Sequence, residues 1–174
     1  MQLSRAVVAV GLVLTAVGCS SAAPSHNDAD AAFVLHMLPH HQRALEVAAL
    51  AAATASDPRV TAFGERIVSE QTPEEQNLTR WVDDLDLPVQ PDDSTMADGY
   101  IDDTAFARLK TESGTTFDRD FLLLSALSEE GAAAMANVEL QGGTYEPALT
   151  LAQSISTAPD TQIPELRDLA NQLP

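Results

Sequence analysis

Three histidines and a methionine lie within six residues, His36, Met37, His40 and His41, the densest group of potential ligands in the chain. On a helix, His36 and His40 are four apart, Met37 and His40 three, and Met37 and His41 four. All four then project from neighbouring parts of one side. Imidazole nitrogens and a thioether sulfur converging there form a soft-to-borderline donor set suited to copper and to zinc. Pro39, in their midst, removes one helix hydrogen bond and leaves the Leu35 carbonyl without its usual partner. The same spacing admits a plainer reading. Phe33, Met37, His40 and Ala44 form a core stripe in which Met37 packs, His40 is a buried imidazole bonded to Gln71 or a carboxylate, and His36 is a surface residue.

A second set of donors, Glu70, Gln71, Glu74 and Glu75, lies some thirty residues on. Gln71 and Glu74 are three apart, hence on one face, and can meet the histidines as ligands or as acceptors that fix their tautomer. Glu70 and Glu75 read as part of a solvated acidic run. Oxidative di-iron chemistry on a helical bundle needs Glu-x-x-His pairs. None can be written, because the last histidine is His41 and the first glutamate Glu46. Hydrolysis fares no better, with every histidine at or before position 41 and no serine in a nucleophile elbow. A non-enzymatic protein is expected.

The elements that must position these groups are all helical. Ala and Leu are abundant, and no alternating apolar run reads as a strand. The first helix is expected from about Asp30 to Thr54, with Phe33, Met37, His40, Ala44, Ala48 and Ala51 inward. Asp57 caps a second, which Pro58 opens and which runs to about Leu85 with Val60, Phe63, Ile67, Leu78, Trp81 and Leu85 inward. Residues 83–103 hold eight Asp, no basic residue, and Pro88 and Pro91, an acidic connection. A short helix follows from Thr104 to about Glu112. Thr116 can cap a third long helix reaching Leu140 and stopping at Gly142-Gly143, and a fourth runs from about Pro147 to Leu173, bent at Pro159 and Pro164. The halves match at an offset of 88: Phe33 with Phe121, Ala44 with Ala132, Ala48 with Ala136, Ile67 with Ile155, Leu78 with Leu166. A helical hairpin used twice and joined by one long connection implies a four-helix bundle with approximate twofold symmetry.

The N-terminus reads as an export signal. Arg5 precedes an apolar run from Ala6 to Val17, too short for a permanent span, which ends in small residues before Cys19, the single cysteine. That pattern predicts a lipoprotein signal peptide over 1–18, lipidation of Cys19, and a tether over 19–29, with the protein anchored on the extracytoplasmic face of the cell membrane. The competing reading is an ordinary secreted protein with Cys19 incidental. The domain is expected over 30–174, as repeat one (30–87), acidic linker (88–115) and repeat two (116–174). The formal charge of −17 becomes −18 once Arg5 is removed. It argues against nucleic acid and against lying flat on anionic lipid, and suits cations.

A family resemblance enters on these residues. Asn27-Asp28-Ala29-Asp30, Phe33, Met37-Leu38-Pro39-His40-His41-Gln42 and Ala44 resemble the first motif of the bacterial domain-of-unknown-function family 305. Asp57-Pro58, Ile67, Gln71, Glu74 and Trp81 continue the match. Phe117-Asp118-Arg119-Asp120-Phe121-Leu122, with Gly131-Ala132 and Met135-Ala136, resembles the start of its second repeat. The resemblance implies a ferritin-like four-helix bundle, export or membrane attachment, and in some members copper binding through histidine and methionine. The family's second Met-x-x-His-His is here Ser125, Ser128 and Glu129, and its second Gln-x-x-Glu is Pro159 and Gln162. A symmetric four-histidine site is therefore impossible. The remaining half-site is His40 and His41 with Met37, completed by Glu129, Gln71 or Glu74, and two imidazoles with a carboxylate favour zinc, iron or manganese over cuprous copper. Two functions stay open: an envelope lipoprotein binding a copper or zinc ion, and a non-enzymatic envelope module, with a protein partner, whose metal site has been lost.

Overall fold

The computed structural model describes residues 25–88, 99–157 and 159–174. The predicted signal peptide, Cys19 and most of the tether lie outside the described residues, as does 89–98 of the acidic connection.

The described chain is all-helical: α1 (Asp28–Thr54), α2 (Pro58–Asp84), α3 (Asp103–Leu109), α4 (Gly114–Gly142), α5 (Glu146–Thr157) and α6 (Pro159–Gln172). No helix among the described residues is long and apolar enough to cross a membrane. Helices α1 and α2 form one hairpin; α4 with α5 and α6 forms the other, and α1 packs along α4. The expected fourth helix is thus two, separated where Pro159 opens α6 at a position whose missing N–H costs nothing. Pro39, Pro73 and Pro164 lie inside continuous helices.

The sequence also explains the helix ends. Asn27 caps α1, its side chain accepting from the N–H groups of Ala29 and Asp30, while Asp30 accepts in return from the Asn27 N–H at 2.7 Å. Asp57 caps α2 with Pro58 following, as expected. Helix α4 begins at Gly114 rather than at a Thr116 cap, because Gly114 takes φ 59, a left-handed step open to glycine, and turns the chain into the helix early.

The apolar core lies in two clusters. One joins Val47, Ala48, Ala51, Val60 and Ile67 to Phe117, Phe121, Leu122, Leu166 and Leu169. The other joins Phe33, Val34, Met37, Leu78 and Trp81 to Ala132, Ala136, Leu151 and Ile155. Every inward residue expected on α1 is buried, whereas Phe63 of α2 is only partly so. Between the clusters in helix register lies a buried polar layer of His40, His41, Gln71, Ser125, Ser128 and Glu129.

The 88-residue repeat is visible in hydrogen bonds as well as packing. Asp118 of α4 accepts from the Ser56 N–H at 2.9 Å, the Ser56 hydroxyl at 2.5 Å and the Asp57 N–H at 2.9 Å. Asp30 of α1, 88 positions earlier, accepts from the N–H groups of Thr144 and Tyr145, each at 2.8 Å, and from the Thr144 hydroxyl at 3.0 Å. Thr144 and Tyr145 are in turn 88 positions after Ser56 and Asp57. Each repeat's first helix therefore grips the turn of the other repeat's hairpin.

A buried polar layer and its candidate metal-binding residues

The layer is built across the pseudo-twofold axis. His40 and Ser128 are 88 apart and touch, Ser128 Oγ lying 3.4 Å from His40 Nε2. His41 and Glu129 are the next such pair. From α2, Glu74 accepts from His41 Nε2 at 2.9 Å, and Gln71 donates from Nε2 to Glu129 Oε1 at 3.1 Å. Helical spacing on α1 dictates the arrangement: successive residues diverge by about 100°. His40 therefore turns to α4 while His41 turns to α2. Their ring centroids are 6.3 Å apart with planes at 50°.

A cavity of about 300 Å³ opens beside this layer, lined by His41 from α1, Glu70, Gln71 and Glu74 from α2, Glu129 and Ala132 from α4, and Ser154, Ile155 and Gln162 from α5 and α6. Gln162 donates to Glu70 at 3.2 Å across its rim. The cavity is thus acidic, walled by one imidazole and three carboxyl groups.

Burial sets the protonation states. His40 is 3 % exposed, and desolvation, helped by the neighbouring His41, lowers its pKa to about 4 against the raising effect of Ser128. It is a neutral imidazole at neutral pH, the form that can coordinate a cation. Desolvation raises Glu129 to about 6; Glu74 and Glu70 push the same way, and His41 opposes them. Three buried atoms in the layer have no hydrogen-bond partner: His40 Nδ1, His41 Nδ1 and Gln71 Oε1.

The residues singled out in the sequence divide into three groups. His41, Gln71, Glu74 and Glu129 come together around the cavity. His40 adjoins them on the α4 side, away from the cavity lining. Met37 and His36 stand apart: Met37 is fully buried in the apolar cluster of Phe33, Leu78 and Trp81, and His36 is exposed to solvent. Glu75, expected in a solvated run, accepts from Gln42 at the surface. Among the described residues, no three His, Cys, Asp or Glu side chains stand close enough together to cage a metal ion. Ser154 and Gln162, which complete the cavity, were not anticipated. The repeat offset held the signal for Gln162, since it places that residue opposite Glu74.

The family model described as domain of unknown function (DUF305) matches residues 30–170. Among solved structures, a DUF305 protein from Streptomyces coelicolor superposes with a TM-score of 0.74 at 24 % identity, over 81 % of this chain and 89 % of that one. A DUF305 fragment from Deinococcus radiodurans gives 0.75 at 22 % identity, over 86 % of this chain and all of that one. CopM in its Cu(II)-bound form gives 0.66 at 23 % identity, over 82 % and 95 %. CopM was also solved in Cu(I)-bound and Ag-bound forms. No curated protein matches the chain.

Proposed function

The chain belongs to the DUF305 family, and on that premise we propose that it is an extracytoplasmic, non-catalytic binding protein for a transition-metal ion, copper before zinc. His40 and His41 are the primary ligands, and Glu74, Glu129 and Gln71 supply the remaining donors from the cavity wall.

The observation that carries this reading is the pair of adjoining imidazoles, each 3 % exposed or less, each with a buried Nδ1 that meets no hydrogen-bond partner. A buried polar atom left unpaired costs about 1–3 kcal/mol, which a bound cation would remove. The chemistry of the set fits a borderline ion: imidazoles with carboxylates and an amide oxygen suit a cupric ion and also zinc. The thioether that a cuprous ion would favour, Met37, lies in the apolar cluster. Copper takes precedence because CopM was solved with copper bound. Since no ready cage stands among the described residues, binding requires Glu74 and Glu129 to converge on the imidazoles.

Attachment to the outer face of the membrane through Cys19 belongs to the same proposal, supported by the signal-peptide pattern. The Streptomyces coelicolor relative is described as a candidate secreted protein. The alternative, a non-enzymatic envelope scaffold, draws support from the contacts that already occupy one nitrogen of each ring, to Ser128 and to Glu74.

Calorimetric titration of the protein with cupric, cuprous and zinc ions, beside a His40→Ala/His41→Ala double variant, separates the two. The metal reading expects binding by the parent protein and its loss in the variant. No binding, or equal binding by both, overturns it in favour of the scaffold.

A further inference from the structure

A second buried polar group lies at the other end of α4 from its N-terminus, outside the cavity and its histidines. Glu139, in the last turns of α4, is 0 % exposed, as is Asp30 of α1. The two carboxyl groups interact directly. Four donors hold Asp30: the N–H groups of Asn27, Thr144 and Tyr145 and the Thr144 hydroxyl all point at its oxygens. Burial by itself would raise Asp30, but those donors outweigh it and hold the group down at about 2. Asp30 is therefore the ionised partner. Neither Glu139 oxygen has a donor. Two carboxylates have no proton to place between them, so an ionised Glu139 would be a buried charge with no compensation.

We propose that Glu139 carries a proton at neutral pH and through it donates a hydrogen bond to Asp30, and that losing this proton to solvent loosens the end of the bundle where α1 meets the α4–α5 turn. The pair is then a pH-responsive latch fitted to one half of the molecule only, independent of cation binding.

The internal repeat holds a counterpart without the second carboxyl group. Asp118 grips Ser56 and Asp57 as Asp30 grips Thr144 and Tyr145, yet the position 88 before Glu139 is Ala51, fully buried. A turn clamp therefore works without a second carboxyl group, so Glu139 is an addition rather than a requirement. Nor can its carboxyl retreat towards the turn. It fills the space above Gly143, where any Cβ would collide with it.

The surroundings offer Glu139 no relief. From α1 the facing titratable group is Asp30. In the turn, the Tyr145 phenol is flanked instead by Arg80 and Asp84 of α2, and its ring meets Trp81 edge-on. Asp28 and Glu146, at the first turns of α1 and α5, are exposed. Among the described residues no cationic group acts on Glu139. Desolvation first, and then the hydrogen bond to and charge of Asp30, push Glu139 up to about 8.

The folded protein holds the proton to about pH 8, whereas the unfolded chain releases it near the ordinary glutamate value of about 4.3. The contribution to stability is whole below that lower value and is lost as pH rises towards 8. The unfolding constant therefore grows by up to about tenfold per pH unit across that window and levels off above it.

The test compares the full chain with Glu139→Gln by urea unfolding at pH 5.5 and 8.5. The expected result is a ratio of unfolding constants, parent over variant, that is at least tenfold larger at the higher pH. A ratio independent of pH overturns the proposal. Carboxyl-carbon NMR of the parent protein keeps the test decisive if the variant does not fold. Glu139 should titrate near pH 8, and the amide signals of Thr144 and Tyr145 should move with the same midpoint while those of Ser56 and Asp57 do not. A Glu139 midpoint near 4.3, or equal movement of both turns, also overturns it.

Discussion

Replacing Asp118 by alanine should remove about 3 kcal/mol of stability without touching any proposed ligand. Its carboxylate is 1 % exposed and accepts three hydrogen bonds, from the Ser56 N–H, the Ser56 hydroxyl and the Asp57 N–H. Hydrogen bonds to a charged group contribute about 1.5–3 kcal/mol each in favourable cases. Simple addition overstates the loss here, because Ser56 is exposed and water can reach its donors once the carboxylate is gone. About 1 kcal/mol per bond is the defensible share, roughly 3 kcal/mol in all. Urea unfolding is the assay. With a slope of about 2 kcal/mol/M for a domain of this size, the midpoint should fall by about 1.5 M at unchanged slope. Asp118→Asn should fall between the two, since an amide oxygen still accepts but its NH₂ faces donors. A midpoint shift under about 0.3 M for the alanine variant would refute the view that the turns are held by carboxylates from the opposite repeat.

Two further outcomes bear on the candidate site. Glu74→Gln keeps an acceptor for His41 Nε2 but exchanges a proposed carboxylate donor for a neutral amide. Loss of even an outer carboxylate typically costs 10–100-fold in metal affinity, so cupric binding by calorimetry should weaken by at least that factor with little change in stability. An unchanged affinity would place the ion elsewhere. Met37→Leu should leave both stability, within about 1.5 kcal/mol, and cation affinity unaltered, because Met37 is a packing residue among Phe33, Leu78 and Trp81. A selective loss of cuprous binding in that variant would make the thioether a ligand after all.

How much of this was legible in the sequence depended on whether a residue's partners were local or distant. The α1 face from Phe33 to Ala51 could be read because helical periodicity and burial report the same thing at each position. The Asp57-Pro58 start of α2 could be read because a cap and a first-turn proline act within four residues. The start of α4 at Gly114 could not, since the left-handed step there depends on backbone angles that no side chain announces. Asp30 and Asp118 were visible as parts of a family-like motif, but their work is done on turns more than sixty residues away. Spacing along one helix carries no trace of that. Met37 and His40 shared one predicted face and yet parted, Met37 into the apolar cluster and His40 against Ser128. The register of the partner helix, not of α1, decides which neighbour each side chain meets.

The duplicated halves also explain why the polar layer has the composition it does. A pseudo-twofold axis relates residues 88 apart, and beside the axis the related residues come together, Ser128 against His40 and Glu129 with His41 around the cavity. A second histidine pair would set four imidazoles around one axis. Ser128 and Glu129 instead give His40 a hydroxyl and set a carboxyl group beside His41, with Gln71 donating to that carboxyl from α2. Yet two imidazole nitrogens and an amide oxygen remain unpaired, which a purely structural repair would have removed. An unpaired buried polar group calls for a partner, and an ion is one such partner. These unpaired atoms favour the proposed single-sided cation site, beside the cavity that Glu70 and Glu74 line, over the scaffold reading.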